Sequence, residues 1–256
     1  MIDIPIVYED DSILVINKPA GTIVNRADTV KFDTVQDWAE LHLSFPRRRE
    51  STEPWGDAFE SRAGIAHRID KETTGILLIG KTPEVFLHLQ SQFKERTIKK
   101  TYCALVHGSV ETPDGTINAP IGRLPWNRER FGIVPGGKEA VTKYTVVKHL
   151  NCVDPDGTHE KITLVELHPE TGRTHQIRVH MKYINHPLLG DYLYAGRKTS
   201  RGDREWATRV MLHAWKLTCI HPVTGNSLDF EAPMPDDMNA IINDQHSIVI
   251  PAKAGI

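Results

Sequence analysis

His67-Arg68-Ile69-Asp70-Lys71-Glu72-Thr73-Thr74-Gly75-Ile76-Leu77-Leu78-Ile79-Gly80 runs a charged block into a short apolar segment. Residues 76–79 have the length and branching of a buried strand. The charges of His67, Arg68, Asp70, Lys71 and Glu72 therefore stand at the mouth of a core strand, where a rigid element can present them in a cleft. A carboxylate flanked by Arg68 and Lys71 is expected to stay ionised, because opposite charges favour its charged form. The same residues also fit a plain turn whose aspartate caps the next element.

Working outward, residues 5–8 and 12–16 read as two short strands joined at Glu9-Asp10-Asp11. Lys18-Pro19-Ala20-Gly21 then bends the chain, proline fixing φ and glycine admitting unusual angles. Residues 34–43 fit a helix with Thr34 as N-cap and Val35, Trp38, Ala39 and Leu41 as apolar positions. Residues 44–62 carry proline, glycine and clustered charge without periodicity, and read as a loop insertion. Arg47 to Arg49 there can meet phosphates or simply face water.

Downstream, Thr82 and Pro83 open a helix as N-cap and first residue, with Val85, Leu89 and Phe93 as one stripe. Residues 101–107 read as a strand with Tyr102, Ala104 and Val106 on one face. By residue type alone, Tyr102 is a core aromatic whose hydroxyl finds a partner. Further strands are expected at 116–121, 140–149 and 161–168. Between the first two, Arg123 to Arg130 forms a long loop in which arginines flank Trp126, fit either for charge and stacking contacts or for an ordinary hairpin. Residues 151–159 read as a turn. Thr174 is expected to cap a helix to about residue 183, with His175 and Arg178 on one face, Arg178 inward and Lys182 near the rim. Strands at 211–219 and 227–231 close a hairpin, and the tail 239–256 is expected to be poorly anchored. Many strands with irregularly inserted helices give an α+β class with a mostly antiparallel sheet.

Composition excludes more than it selects. The 256 residues allow one large domain, here 1–238, with a substantial core. No apolar run approaches the roughly 18 residues of a membrane span, and the start lacks the pattern of a signal peptide. Cys103, Cys152 and Cys219 are far apart, which suits free thiols in a reducing cytoplasm. Net charge is −2, yet residues 171–216 hold nine Lys/Arg against three Asp/Glu, a local basic region able to meet phosphates or merely solvated. There are 13 histidines, but His175, His180 and His186 are spaced five and six apart, unlike a helical zinc pair, so no metal is expected there. No glycine-rich nucleotide motif is present, so no cofactor is expected.

His67-Arg68-Ile69-Asp70 followed by Thr73-Thr74-Gly75 resembles the signature of the RluA family of pseudouridine synthases, with Ile69 for the usual Leu and Thr74 for the usual Ser. Asn17 to Gly21, Lys100 to Val106 and Thr171 to His180 match further family motifs in order. The likeness continues through His186 to Asp191, Leu212 to Ala214 and His221 to Gly225. The resemblance implies a catalytic domain in two halves around a sheet, with an RNA cleft and flanking helices. It implies isomerisation of uridine in ribosomal or transfer RNA, and the chain is expected to act as a monomer. It makes Asp70 the acting carboxylate, Arg178 its partner, and Tyr102 the residue against the target base. Arg68 is implicated in filling the space left by the flipped uridine, while Lys18 is more architectural, though within reach of the pocket. His67, Arg128, Arg173, His175 and Lys182 are candidates for RNA contact. The family's frequent N-terminal S4 domain finds no room before Lys18, which leans toward short members acting on small stem-loops.

Other classes make different demands. A non-catalytic RNA-binding module need not keep Asp70, Tyr102 and Arg178 together. A hydrolase built on Asp70 needs a histidine within hydrogen-bond reach of it. A structural protein leaves the ordered motifs unexplained.

Overall fold

The apolar run that follows Gly75 is buried on both faces. In the computed structural model, which describes residues 2–26, 33–43, 58–153, 159–197, 199–203 and 206–243, it forms β3 (Thr74–Gly80), every residue of which is buried. The chain divides into two units: Met1–Lys99 with Ala214–Pro233, and Lys100–His213 with Met234–Ile256.

In the first unit β3 pairs antiparallel with β2 (Ile13–Lys18), and β2 with β1 (Ile6–Glu9). The other neighbour of β3 is β10 (Leu212–Ile220), which pairs antiparallel with β11 (Ser227–Glu231). Side chains alternate across a strand. Ile13, Val15, Ile76 and Leu78 therefore meet Val85 and Leu89 of α2 (Pro83–Lys94), together with Leu217 and Phe230, in one core. Leu14, Ile16, Leu77 and Ile79 are just as buried on the opposite face. Gly75 has φ +112°, and a Cβ there would lie 2.2 Å from the Ala214 carbonyl oxygen, so only glycine lets β10 approach. Thr82 caps α2 by accepting from the Val85 N–H, with Pro83 in the first turn. Thr34 caps α1 (Val35–His42) in a reciprocal box with Asp37.

Two expectations change here. Leu41 is 57% exposed, while Gln36 is buried with its amide bonded to the Ser61 carbonyl. Of the expected loop insertion, residues 58–60 are helical, and Phe59 packs edge-on against Phe86 at 5.9 Å. Residues 44–57, with Arg47 to Arg49, lie outside the described residues.

In the second unit β4 (Lys99–His107) pairs antiparallel with β9 (His159–Pro169), β9 with β8 (Val141–Val153), and β8 with β5 (Asp114–Asn118). Ala104, Val106, Val165 and Leu167 pack with Ile177 and Met181 of α3 (Gln176–Tyr183) in its core, and Tyr102 lies at the margin. Of the turn expected at 151–159, Asn151–Val153 instead extend β8 opposite the start of β9, and residues 154–158 lie outside the described residues. The strand expected at 116–121 ends at Asn118, where Pro120 has no N–H for a ladder. The Arg123–Arg130 segment belongs to a hairpin, one of the two readings expected of it: β6 (Ile121–Leu124) pairs with β7 (Asn127–Ile133), and Trp126 is 80% exposed at its tip. After the short α4 (Thr199–Asp203) and the strand β10, α5 (Asp236–Ile242) buries Met238 and Ile241, so the first residues of the expected tail are anchored. Arg209 grips Asp237, with Nε to Oδ2 at 2.5 Å, and Lys148 reaches the Ile242 carbonyl at 3.0 Å. No helix among the described residues is long and apolar enough to cross a membrane.

Candidate active site

Lys18 is the residue that fixes the charged loop of the first unit. It ends β2, opposite Gly75 in the ladder, and is 0% exposed. Its ammonium donates to the carbonyls of Pro19 (2.8 Å), Thr22 (2.9 Å) and Lys71 (2.9 Å). The Gly21 N–H donates to the same Lys71 carbonyl at 3.0 Å. Burying a cation is costly unless hydrogen bonds replace water, and an ammonium has three donors to give. Lys71 is thus tied to the bend after β2, and Asp70 stands one residue before it. The Thr73 N–H closes the turn on the Asp70 carbonyl. Ile69 points into the core, the Asp70 side chain is half-buried, and Arg68 is exposed.

His67 is committed to the fold. Its Nε2 accepts from the Leu78 N–H at 3.1 Å, and its ring lies on Phe93 at 4.5 Å. An accepting Nε2 places the ring proton on Nδ1.

In the second unit, α3 starts differently from the expectation. Its N-cap is His175 in left-handed geometry (φ 55°), and no side chain caps it. Gln176 does the holding. Its Oε1 accepts from Thr171 Oγ1 (2.6 Å) and the Arg173 N–H (3.0 Å). Its Nε2 donates to the Val141 carbonyl (2.9 Å) and Thr142 Oγ1 (3.0 Å). The 171–174 turn is thereby stitched to β8, and Arg173 adds a bond from Nε to the Glu139 carbonyl at 2.9 Å.

Arg178 points inward as expected, and its side chain is 7% exposed. Nε donates to Asp191 Oδ2 at 2.7 Å and Nη2 to Asp191 Oδ1 at 2.9 Å, a forked pair. Its guanidinium lies 5.1 Å from the centroid of Tyr194. His175 shares that face: its Nδ1 is 2.9 Å from the Tyr194 hydroxyl, which also accepts from the Phe131 N–H at 3.0 Å. Tyr102 is half-buried beside the core, opposite Leu167, and Lys182 and Arg128 are exposed. Asp191, Tyr194 and Gln176 were given no role by the sequence reading. Asp191 stands inside a motif that carried the resemblance, but its partner is 13 residues away and only the fold joins them.

Three other histidines of this unit, His107, His180 and His186, have partners of their own. His180 sits between Thr142 Oγ1 (2.9 Å) and the Ala119 carbonyl (3.0 Å), and burial pushes its pKa down, against the bond to Ala119. His186 Nδ1 lies 2.9 Å from the His107 carbonyl. His107 itself faces Asp203 Oδ2 from Nε2 (3.2 Å) and Glu160 Oε2 from Nδ1 (3.5 Å). Burial pushes its pKa down, but the hydrogen bonds and charges of Asp203 and Glu160 outweigh this and raise it to about 9. Among the described residues these three form the group whose ligand atoms lie close enough for a metal. The raised pKa makes the imidazolium the cation between the two carboxylates.

The first unit holds an aspartate loop braced by a buried ammonium, and the second holds a buried arginine gripped by a carboxylate. The RNA pseudouridylate synthase family matches residues 12–183. The uncharacterized RNA pseudouridine synthase YlyB of Bacillus subtilis is 40% identical over 240 residues, covering 94% of this chain and 72% of its own. The ribosomal large subunit pseudouridine synthase D of Vibrio cholerae is 41% identical over 246 residues, covering 92% and 69%. That of Nitrosomonas europaea is 39% identical over 244 residues, covering 94% and 65%. The solved structure of human RNA pseudouridylate synthase domain containing 1 superposes with a TM-score of 0.68 at 28% identity, over 90% of this chain and 83% of that one. The chain belongs to the family of RNA pseudouridine synthases, enzymes that isomerise uridine to pseudouridine within RNA. It spans about two thirds of the length of these bacterial relatives.

Proposed function

We propose that this chain acts on specific uridines of structured ribosomal RNA, and that Asp70 is the carboxylate that performs the chemistry. The isomerisation breaks a glycosidic bond to nitrogen, turns the base and re-forms the bond to carbon. It involves no redox change and no net hydrolysis. One carboxylate, as nucleophile or base in a dry pocket, is enough, without metal or cofactor. The uridine leaves its stack first, because a stacked base is out of reach. Arg68 takes the vacated space, Tyr102 lies against the base and accepts a proton as the product forms, and Arg178 is the cationic partner of Asp70. Lys182, Arg128, Arg173 and His175 contribute RNA contacts, and Lys18 and His67 support the loop. The protein works as a cytoplasmic monomer.

The observation that carries this reading is the bracing of the Asp70 loop: a fully buried ammonium donates to the carbonyl of Lys71, the residue after Asp70, and to those of Pro19 and Thr22. A braced carboxylate is what a site needs and a plain surface turn does not. The names of the Vibrio and Nitrosomonas relatives favour large-subunit ribosomal RNA over small transfer-RNA stem-loops. Pseudouridine mapping of total cellular RNA, with and without the gene, tests this. Loss of discrete large-subunit sites is expected. Loss confined to transfer RNA would contradict the substrate, and an unchanged map would contradict the activity.

A further inference from the structure

We infer that Asp191 is a positioning residue: it sets the plane and direction of the Arg178 guanidinium, and through it the rate of isomerisation, without touching RNA. The inference rests on the role given to Arg178 above.

Three features of the structure support it. First, Asp191 is 0% exposed, so it is no RNA contact. Second, its carboxylate meets Arg178 as a fork, while Oδ1 also accepts from the Leu193 N–H (3.1 Å) and the Tyr194 N–H (3.2 Å). A carboxylate bonded by its own loop is fixed before it meets the arginine, so the arginine takes its orientation from the carboxylate. The Tyr194 ring, 5.1 Å away, limits the guanidinium from its face. Third, the loop carrying Asp191 is itself pinned. The Gly190 N–H donates to Asp203 Oδ2 at 2.9 Å, and the Leu189 N–H to the Leu105 carbonyl at 2.9 Å. Gly190 has φ +74°, and a Cβ there would fall 1.8 Å from the Arg209 carbonyl oxygen. Arg178 thus reports the position of β4 and the 188–191 segment. A lysine, a point charge on a flexible stem, would not transmit that geometry.

A purely structural salt bridge predicts something different, and a double-mutant cycle separates the two. Asp191→Asn keeps the shape and the Oδ1 acceptor while weakening the fork. Single-turnover rates on a ribosomal RNA transcript at saturating enzyme, RNA affinity and thermal unfolding would be measured for Asp191→Asn, Arg178→Met and the double variant. Asp191→Asn is expected to slow the saturated rate by about 100-fold, the scale of misplacing a catalytic group by an ångström. RNA affinity should change by less than about threefold, since a buried residue carries no phosphate contact. Beside Arg178→Met, the same change should slow the rate by less than about threefold further, because contacting residues are not additive. A full 100-fold loss in both backgrounds, or a wild-type rate in Asp191→Asn, would overturn the inference. Arg178→Lys keeps Asp191 intact if the asparagine variant fails to fold; it should be slow at saturation, and a wild-type rate would overturn the inference equally. Asp70→Asn is run alongside: an active Asp70→Asn would sink the reading of the site, whereas an inactive one beside a normal Asp191→Asn would sink only this inference.

Discussion

Lys18 and Arg178 are both buried cations, and they do opposite jobs. Lys18 holds: its compact ammonium gathers the Pro19, Thr22 and Lys71 carbonyls and so shapes the backbone around it. Arg178 is held: Asp191 grips its fork and Tyr194 lies near its face. A lysine is a point charge that suits converging carbonyls, while an arginine is a plane that suits a carboxylate and a ring. The first arrangement places a loop; the second aims a side chain. The residue chosen at each position follows from which of these the site requires.

Removing each cation sharpens that contrast. Arg178→Met leaves Asp191 as a buried carboxylate without its fork, a loss on the order of 3–5 kcal/mol for a buried pair broken on one side. Lys18→Met leaves the Pro19 and Thr22 carbonyls without their ammonium donor, while the Lys71 carbonyl keeps the Gly21 N–H. At roughly 1–3 kcal/mol per buried unsatisfied group, the loss should be about 3 kcal/mol. Urea unfolding midpoints measure both. A Lys18→Met variant as stable as wild type would break the comparison.

His107 offers a smaller, pH-dependent test in the second unit. Its folded pKa of about 9 lies above its ordinary 6.5. The triad with Glu160 and Asp203 therefore contributes fully below about pH 6.5, and its contribution fades as pH rises through 9. His107→Gln should lower stability at pH 6 and flatten the decline between pH 6.5 and 9, read from thermal unfolding across that range. An unchanged slope would contradict the ion triad.

The exposed cations should matter least. Arg128→Ala and Lys182→Ala each remove one phosphate contact at most. Each should weaken RNA binding alike across sequences and flatten its salt dependence by about one unit. Rates at saturating enzyme should hold. A slow saturated rate in either would place that cation nearer the chemistry than its exposure suggests.

The two regions also differ in how far they could be read from sequence. Around β3 the determinants are local: the apolar run, the Thr82 cap with Pro83, and the Thr34 cap each lie within one element. The same holds for the face shared by Tyr102, Ala104 and Val106. Around Arg178 they are not. Thr174 fits a cap, but the left-handed His175 shifts the helix start, and two of the four Gln176 side-chain bonds reach residues 34 and 35 positions away. Asp191 and Tyr194 meet Arg178 only once the chain has folded back. Leu41 looked inward on a helical wheel yet faces solvent, because burial depends on what packs against a helix. Asp70, Tyr102 and Arg178 were named through resemblance; by spacing alone, Asp70 was as good a turn residue as a catalyst.

The central claim is that Asp70 performs the chemistry while the buried cations only place and aim. Asp70→Asn tests it most directly, because the amide has the carboxylate's shape but is neither nucleophile nor base. Single-turnover assay on a ribosomal RNA transcript at saturating enzyme should yield no pseudouridine, with RNA affinity and thermal unfolding close to wild type. Turnover near the wild-type rate in the purified variant would contradict it.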